Sequence, residues 1–146
     1  MADHAHFQAD VLTPEGLVFS GEVEMVSTRT EVGEIGVLAN HTPLLAMLAP
    51  ADLRLHMGGG DIKHFAQGEG YIQVHSNHVL VLVEDCHDPS SVDQAEQEER
   101  LQKAQAVIDE LHGSHAEPEE SARYQKALRD KRRAETFLRI ARGESA

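Results

Sequence analysis

HVLVLVEDCHDPSSVDQAEQ, residues His78 to Gln97, decides the fold, because the repeat of the chain changes inside it. His78-Val79-Leu80-Val81 answers Tyr71-Ile72-Gln73-Val74 across the polar pair Ser76-Asn77, which is the pattern of a strand hairpin. Beyond Asp88-Pro89 the period lengthens. Ser91-Val92-Asp93-Gln94 has the spacing of a capping box that opens a helix. Val92, Ala95, Leu101, Ala104, Ile108 and Leu111 then recur so as to keep one face of that helix apolar.

Working back toward the N-terminus, the strand period persists. Glu22 to Ser27 alternates polar and apolar residues, and Leu53 to Met57 does so again. Gly58-Gly59-Gly60-Asp61 reads as a turn, after which Ile62-Lys63-His64-Phe65 returns. Short strands with turns every eight to twelve residues predict a sandwich or a barrel. Working forward, His112 to Pro118 is a connector, and a second helix runs from about Glu119 to Arg142, with Tyr124, Ala127, Leu128, Ala134, Phe137, Leu138 and Ala141 as its apolar members. Two helices joined by a short loop predict an antiparallel hairpin. The class is therefore α+β, with a β-domain over residues 1–87 and a helical domain over 88–146. The hairpin stripes are rich in alanine, and burying one methyl yields only about 0.8 kcal/mol. Such an arm leans on other surfaces and shifts between arrangements a few kcal/mol apart.

The chain has 146 residues, no tryptophan and a formal net charge of -12, so its core is built mainly from Val, Leu, Ile and Ala. An acidic chain is repelled by phosphate backbones, which argues against nucleic acid as a partner. The charge is uneven. Residues 119–146 carry eight basic and five acidic side chains, which leaves +3 there and -15 on the first 118. A body and an arm of opposite sign suit different surfaces. Cys86 is the only cysteine, which suits a reducing compartment. MADHAHFQAD lacks the basic start and apolar stretch of a signal peptide, and the runs Leu44–Ala49 and Val79–Val83 are too short to span a bilayer.

Catalytic signatures are sparse. Neither GxxxxGK[ST] nor GxSxG occurs. Gly33 and Gly36 read as turn residues around Glu34 rather than as a phosphate cradle. Cys86 lacks the surroundings of a nucleophile. The pairs His75/His78 and His112/His115 flank turns without HExxH spacing or a CxxC companion, so no metal and no cofactor are expected, and His4 and His6 belong to the terminus. Lys131-Arg132-Arg133 together with Lys126 and Arg129 puts basic residues on neighbouring turns of the second helix, a positive stripe that would attract an acidic segment.

The order of motifs identifies a family. Gly33-Glu34-Ile35-Gly36 followed by His41-Thr42-Pro43-Leu44-Leu45 resembles the signature loop of the epsilon subunit of bacterial F-type ATP synthases. Phe19-Ser20-Gly21, Gly68-Glu69-Gly70-Tyr71-Ile72-Gln73-Val74 and the tail Phe137-Leu138-Arg139-Ile140-Ala141 agree with it. The resemblance implies a β-sandwich of about ten strands followed by a two-helix domain. It implies a non-catalytic part of the rotor, peripheral at the cytoplasmic face of the inner membrane and tied to that membrane only through the complex. Its partners would be the gamma subunit, the ring of c subunits and an acidic segment of the catalytic beta subunits. By position, Glu34 would face the c ring, and Thr13 and His41 would face gamma. Arg123, Lys126, Arg129, Lys131, Arg132 and Arg133 would meet the beta subunits, with the extended arm hindering ATP hydrolysis.

Some members of that family bind ATP on the hairpin through [I/L]-D-x-x-R-A. Here the stretch is Val92-Asp93-Gln94-Ala95-Glu96-Gln97: Asp93 matches, and Arg133 matches one helix-two arginine. Glu96 replaces the phosphate-binding arginine, Gln97 the alanine, and Phe137 a second arginine, so weak or no nucleotide binding is expected. Two other classes stand beside this reading. One is a free-standing β-sandwich binding module with a coiled-coil tail. The other is a small metal hydrolase using the histidines, which has no paired carboxylates or ligand spacing in its favour.

Overall fold

The structure is a computed structural model, and it describes residues 5–112 and 117–144. The chain forms two compact units, Met1–Pro89 and Ser90–Ala146. Gly113 to Ala116, His4 and the expected pairing of His112 with His115 lie outside the described residues.

The first unit is a β-sandwich of ten strands: β1 Phe7–Thr13, β2 Gly16–Val23, β3 Met25–Thr30, β4 Gly33–Leu38, β5 Leu44–Leu48, β6 Ala51–Gly58, β7 Asp61–Gln67, β8 Gly70–His75, β9 His78–Val83 and β10 Cys86–His87. Their order is β10-β7-β6-β3-β5-β8-β9-β1-β2, with β4 paired to β3. All neighbours are antiparallel except β1 and β9. Alternation places the inward side chains. Val79, Val81 and Val83 of β9 are buried beside Phe7, Ala9 and Val11 of β1, and Ile72 and Val74 of β8 join the same core.

The run Glu22–Ser27 is not one strand. Val23 and Val26 are both fully buried, a spacing of three that a period of two cannot give. The chain bends at Glu24, whose N–H donates to the His56 carbonyl at 2.7 Å, and the next strand begins at Met25. The bend hands the chain from its pairing with β1 to pairing with β6.

In the second unit a 3-10 turn, Pro89–Ser91, precedes α1 Gln94–Leu111, and α2 runs from Pro118 to Ala141. The N-cap of α1 is Asp93, not Ser91: its Oδ1 accepts from the Glu96 N–H at 3.1 Å. A carboxylate also complements the helix dipole, which a serine hydroxyl does not. Starting there fixes the seam at Gln97, Ala104, Ile108 and Leu111, so Gln97 is buried and Ala95 is exposed. On α2, Ala127, Ala134 and Leu138 are buried at spacings of one helix face, while Leu128 is exposed. Arg123 reaches Glu110 at 3.0 Å and Arg142 reaches Glu98 at 2.7 Å, which sets the two helices antiparallel.

Candidate functional site

Glu34 stands on β4 directly opposite Arg29 of β3 and is exposed. The hairpin behind it is tightly held. Thr30 Oγ1 accepts from the Val32 N–H at 3.2 Å and donates to the Gly33 carbonyl at 2.8 Å. Gly33 has φ 136, a conformation side chains rarely adopt. A Cβ at Gly36 would come within 2.6 Å of the Met25 Cε methyl, the mobile end of a side chain that can move aside. Val32, at the tip, is 97% exposed. Beside Glu34 lies a hollow of about 340 Å³ floored by Ser27, Arg54 and His56. Arg54 Nε donates to Ser27 Oγ at 2.9 Å, and Ser27 Oγ lies 3.2 Å from His56 Nε2. The serine hydroxyl can then donate to an unprotonated Nε2. Burial, followed by the charges of Arg54 and His64, holds the His56 pKa below its ordinary value.

The outward face of β5, β8, β9, β1 and β2 carries a feature that the motifs did not reveal. The register aligns Met47, Tyr71, Leu82, Leu12 and Leu17 in one row across five strands. Met47, Tyr71, Leu82 and Leu17 are 56%, 50%, 44% and 61% exposed, where water-facing strand positions are ordinarily polar. Leu45 and Leu80 follow in the next row with Gln73 and Asp10 between and beside them. A groove of about 580 Å³ runs along the first row. Alternation within each strand is visible in the sequence. The register that adds one residue per strand into a continuous row is not.

The two residues expected to face gamma lie at opposite ends of this face. Thr13 borders the groove, and its Oγ1 accepts from the Glu15 N–H at 3.2 Å in the β1–β2 turn. His41 is in the β4–β5 loop near the β8–β9 turn, where the Asn40 N–H donates to Asn77 Oδ1 at 2.7 Å. At that end His78 Nε2 lies 2.7 Å from Asp10 Oδ2. The Ser20 hydroxyl, then Gln8 and His78, hold the Asp10 carboxyl below its usual range against the opposing effect of burial.

The hairpin brings together only part of the expected basic stripe. Arg123, Lys126 and Arg133 of α2 line a groove of about 450 Å³ with Arg100 and Lys103 of α1, floored by Ala104, Val107 and Ala127. Arg129, Lys131 and Arg132 are not in its lining. At 100° per residue Lys131 and Arg132 turn away from the arc of Lys126 and Arg133. The groove cations have partners: Arg100 with Glu96, Lys103 with Glu99, Lys126 with Asp130, and Arg133 over the Phe137 ring at 4.3 Å. Asp93 caps α1, whereas the register places Arg133 opposite the middle of α1, roughly ten residues or ~15 Å along the axis.

Burial and then the Asp85 charge push the Cys86 thiol up to about 12, far from a thiolate nucleophile at neutral pH. Among the described residues no group of three or more His, Cys, Asp or Glu could hold a metal ion. No described helix is long and apolar enough to cross a membrane.

Residues 6–89 match the family model described as "ATP synthase, Delta/Epsilon chain, beta-sandwich domain". The chain is 37% identical over 135 residues to the ATP synthase epsilon chain of Persephonella marina, covering 92% of this chain and 96% of that one. It is 32% identical to the ATP synthase epsilon chain of a Sulfurihydrogenibium species over the same shares of both. Among solved structures, a chain of the Euglena gracilis mitochondrial ATP synthase, in a structure of OSCP/F1/c-ring, shares the fold with a TM-score of 0.73 and 20% identity, covering 94% of this chain and 84% of that chain.

Proposed function

The chain belongs to the ATP synthase epsilon-chain family, a central-stalk subunit, and from that membership and the geometry above we propose how it works. It acts without chemistry of its own, as a coupling piece between the gamma subunit and the c ring and as a brake on ATP hydrolysis. It sits peripherally at the cytoplasmic face of the bacterial inner membrane, held there through the complex. The observation that carries this reading is the apolar row Met47-Tyr71-Leu82-Leu12-Leu17 on an outward sheet face. A strand face of that composition suits a permanent protein partner, and Thr13 and His41 bracket it. Gamma is the occupant assigned to it. Glu34, on the stiff β3–β4 hairpin, is assigned to the polar loops of the c ring.

The helical hairpin supplies the brake. Its cations Arg123, Lys126, Arg129, Lys131, Arg132 and Arg133 are assigned to an acidic segment of the catalytic beta subunits. Nucleotide is not assigned to the hairpin: Asp93 is engaged as a cap, Glu96 as a partner of Arg100, and Arg133 stands well away from both. The test removes residues beyond Pro89, where the two units divide. The remaining sandwich should still co-purify with gamma, and hydrolysis by the catalytic head should rise. Loss of gamma binding, or unchanged hydrolysis, would remove the corresponding half of the proposal. A free-standing binding module would travel with neither gamma nor the ring.

A further inference from the structure

We propose that Asn77 is a positioning residue for the gamma-docking face: its side-chain oxygen holds the β4–β5 loop so that His41 sits at the rim of that face. This rests on the docking function proposed above. The contact joins segments 37 residues apart, with Asn77 Oδ1 accepting from the Asn40 N–H at 2.7 Å. Both ends are built for it. Ser76 and Asn77 have φ 49 and 61, the left-handed pair of a tight hairpin turn, and Asn40 has φ 61. Three residues without glycine's freedom thus adopt left-handed backbone at one end of the sheet.

Ala39 packs the start of the loop against the sandwich core, which leaves its tip to be fixed. The sheet register ends at Leu44 opposite Val74. Beyond that the His41 N–H donates to the Leu38 carbonyl at 3.2 Å, and His41 Nδ1 lies 2.7 Å from the Thr42 carbonyl. Both of those contacts lie within the loop and its base, so they shape the loop without tying it to the sheet. Among the described residues, the hydrogen bond that ties the tip of the loop to the neighbouring turn is the one the Asn77 oxygen accepts. Holding the loop in place before docking lowers the ordering cost of association.

The experiment uses the full chain, the purified gamma subunit as probe, and amide hydrogen exchange. Asn77→Gly removes the acceptor while suiting the left-handed turn, and Asn77→Asp restores an acceptor. Asn77→Gly should speed exchange of the Asn40 amide and weaken gamma binding about fivefold, the worth of one ordinary hydrogen bond. Asn77→Asp should restore both. Unchanged Asn40 exchange in Asn77→Gly would overturn the clamp. Faster exchange with unchanged affinity would overturn its role in docking. Failure of the unaltered chain to bind gamma would instead overturn the docking function, with the exchange arm still deciding whether Asn77 holds the loop.

Discussion

Replacing Tyr71 and Leu82 together with threonine tests the docking face most directly. The two stand opposite each other on β8 and β9, 50% and 44% exposed, in the middle of the apolar row. A fully buried tyrosine hides about 200 Å². The exposed half of Tyr71 therefore leaves roughly 100 Å² for a partner to cover, or about 2.5 kcal/mol at 25 cal per Å². By the same reckoning, the exposed part of Leu82 offers about 1 kcal/mol. Fixing each side chain on association costs at least about 0.5 kcal/mol, and the replacement keeps one methyl. A net loss of about 2 kcal/mol follows, or roughly a 30-fold weaker complex. Threonine suits strands, so the lost cross-strand pair should cost the fold no more than about 1 kcal/mol. Calorimetric titration of gamma into the full chain reads the affinity, and thermal unfolding reads the stability. Ile62→Thr, at a 40% exposed position on β7 outside the row, is the control and should bind normally. Affinity within twofold of the unaltered chain, with a folded double variant, would refute the assignment of this face.

Other tests address the arm, the frame and the half-buried His56. Changing Lys131, Arg132 and Arg133 to glutamate should relieve inhibition of hydrolysis, more at low than at high ionic strength, since exposed charges are screened over about 10 Å at 0.1 M salt. Inhibition unchanged at every salt concentration would exclude an electrostatic brake. Calorimetry of ATP with the isolated chain should detect no micromolar binding, because Glu96 and the cap Asp93 put two carboxylates at the start of α1, where they would repel a triphosphate. Gly70→Ala should cost about 3 kcal/mol or more in urea unfolding, because a Cβ at Gly70 would overlap the Leu82 carbonyl oxygen and lie 2.7 Å from Val83 Cα, neither of which a strand can move cheaply. A fully stable variant would mean the β8–β9 pairing yields. His56 has a folded pKa below its ordinary value of 6.5, so it binds protons more readily unfolded. Its contribution is intact above about pH 6.5 and is lost as pH falls toward the folded value. Unfolding midpoints measured from pH 7 to pH 5 should fall less steeply in His56→Gln, and identical slopes would remove His56 from the account.

The sequence by itself determined the fold class. Period two up to about Glu84 and period 3.6 beyond Pro89 are local properties, set by which face of each element is apolar, and they need no knowledge of the partner strand. It also offered Glu34 and His41 as candidates, through the likeness of their stretch to a family signature loop; Glu34 lies on β4 and His41 in the loop that follows. Local patterns misled where the decision was not local. Glu22–Ser27 alternates well enough for one strand, yet two buried valines three apart required a bend, whose cause is a hydrogen bond from Glu24 to a carbonyl 32 residues away. Ser91 had cap spacing, yet the cap is Asp93, whose carboxylate accepts from the Glu96 N–H.

Only the tertiary structure decided the surfaces. A row such as Met47-Tyr71-Leu82-Leu12-Leu17 takes one residue from each of five strands, so its continuity depends on register, and a one-residue slip would turn each of them inward. The same holds for the groove that adds Arg100 and Lys103 to Arg123, Lys126 and Arg133, and for the oxygen of Asn77 on the amide of Asn40. Each joins residues far apart in the chain, and no local periodicity encodes which distant residue will arrive.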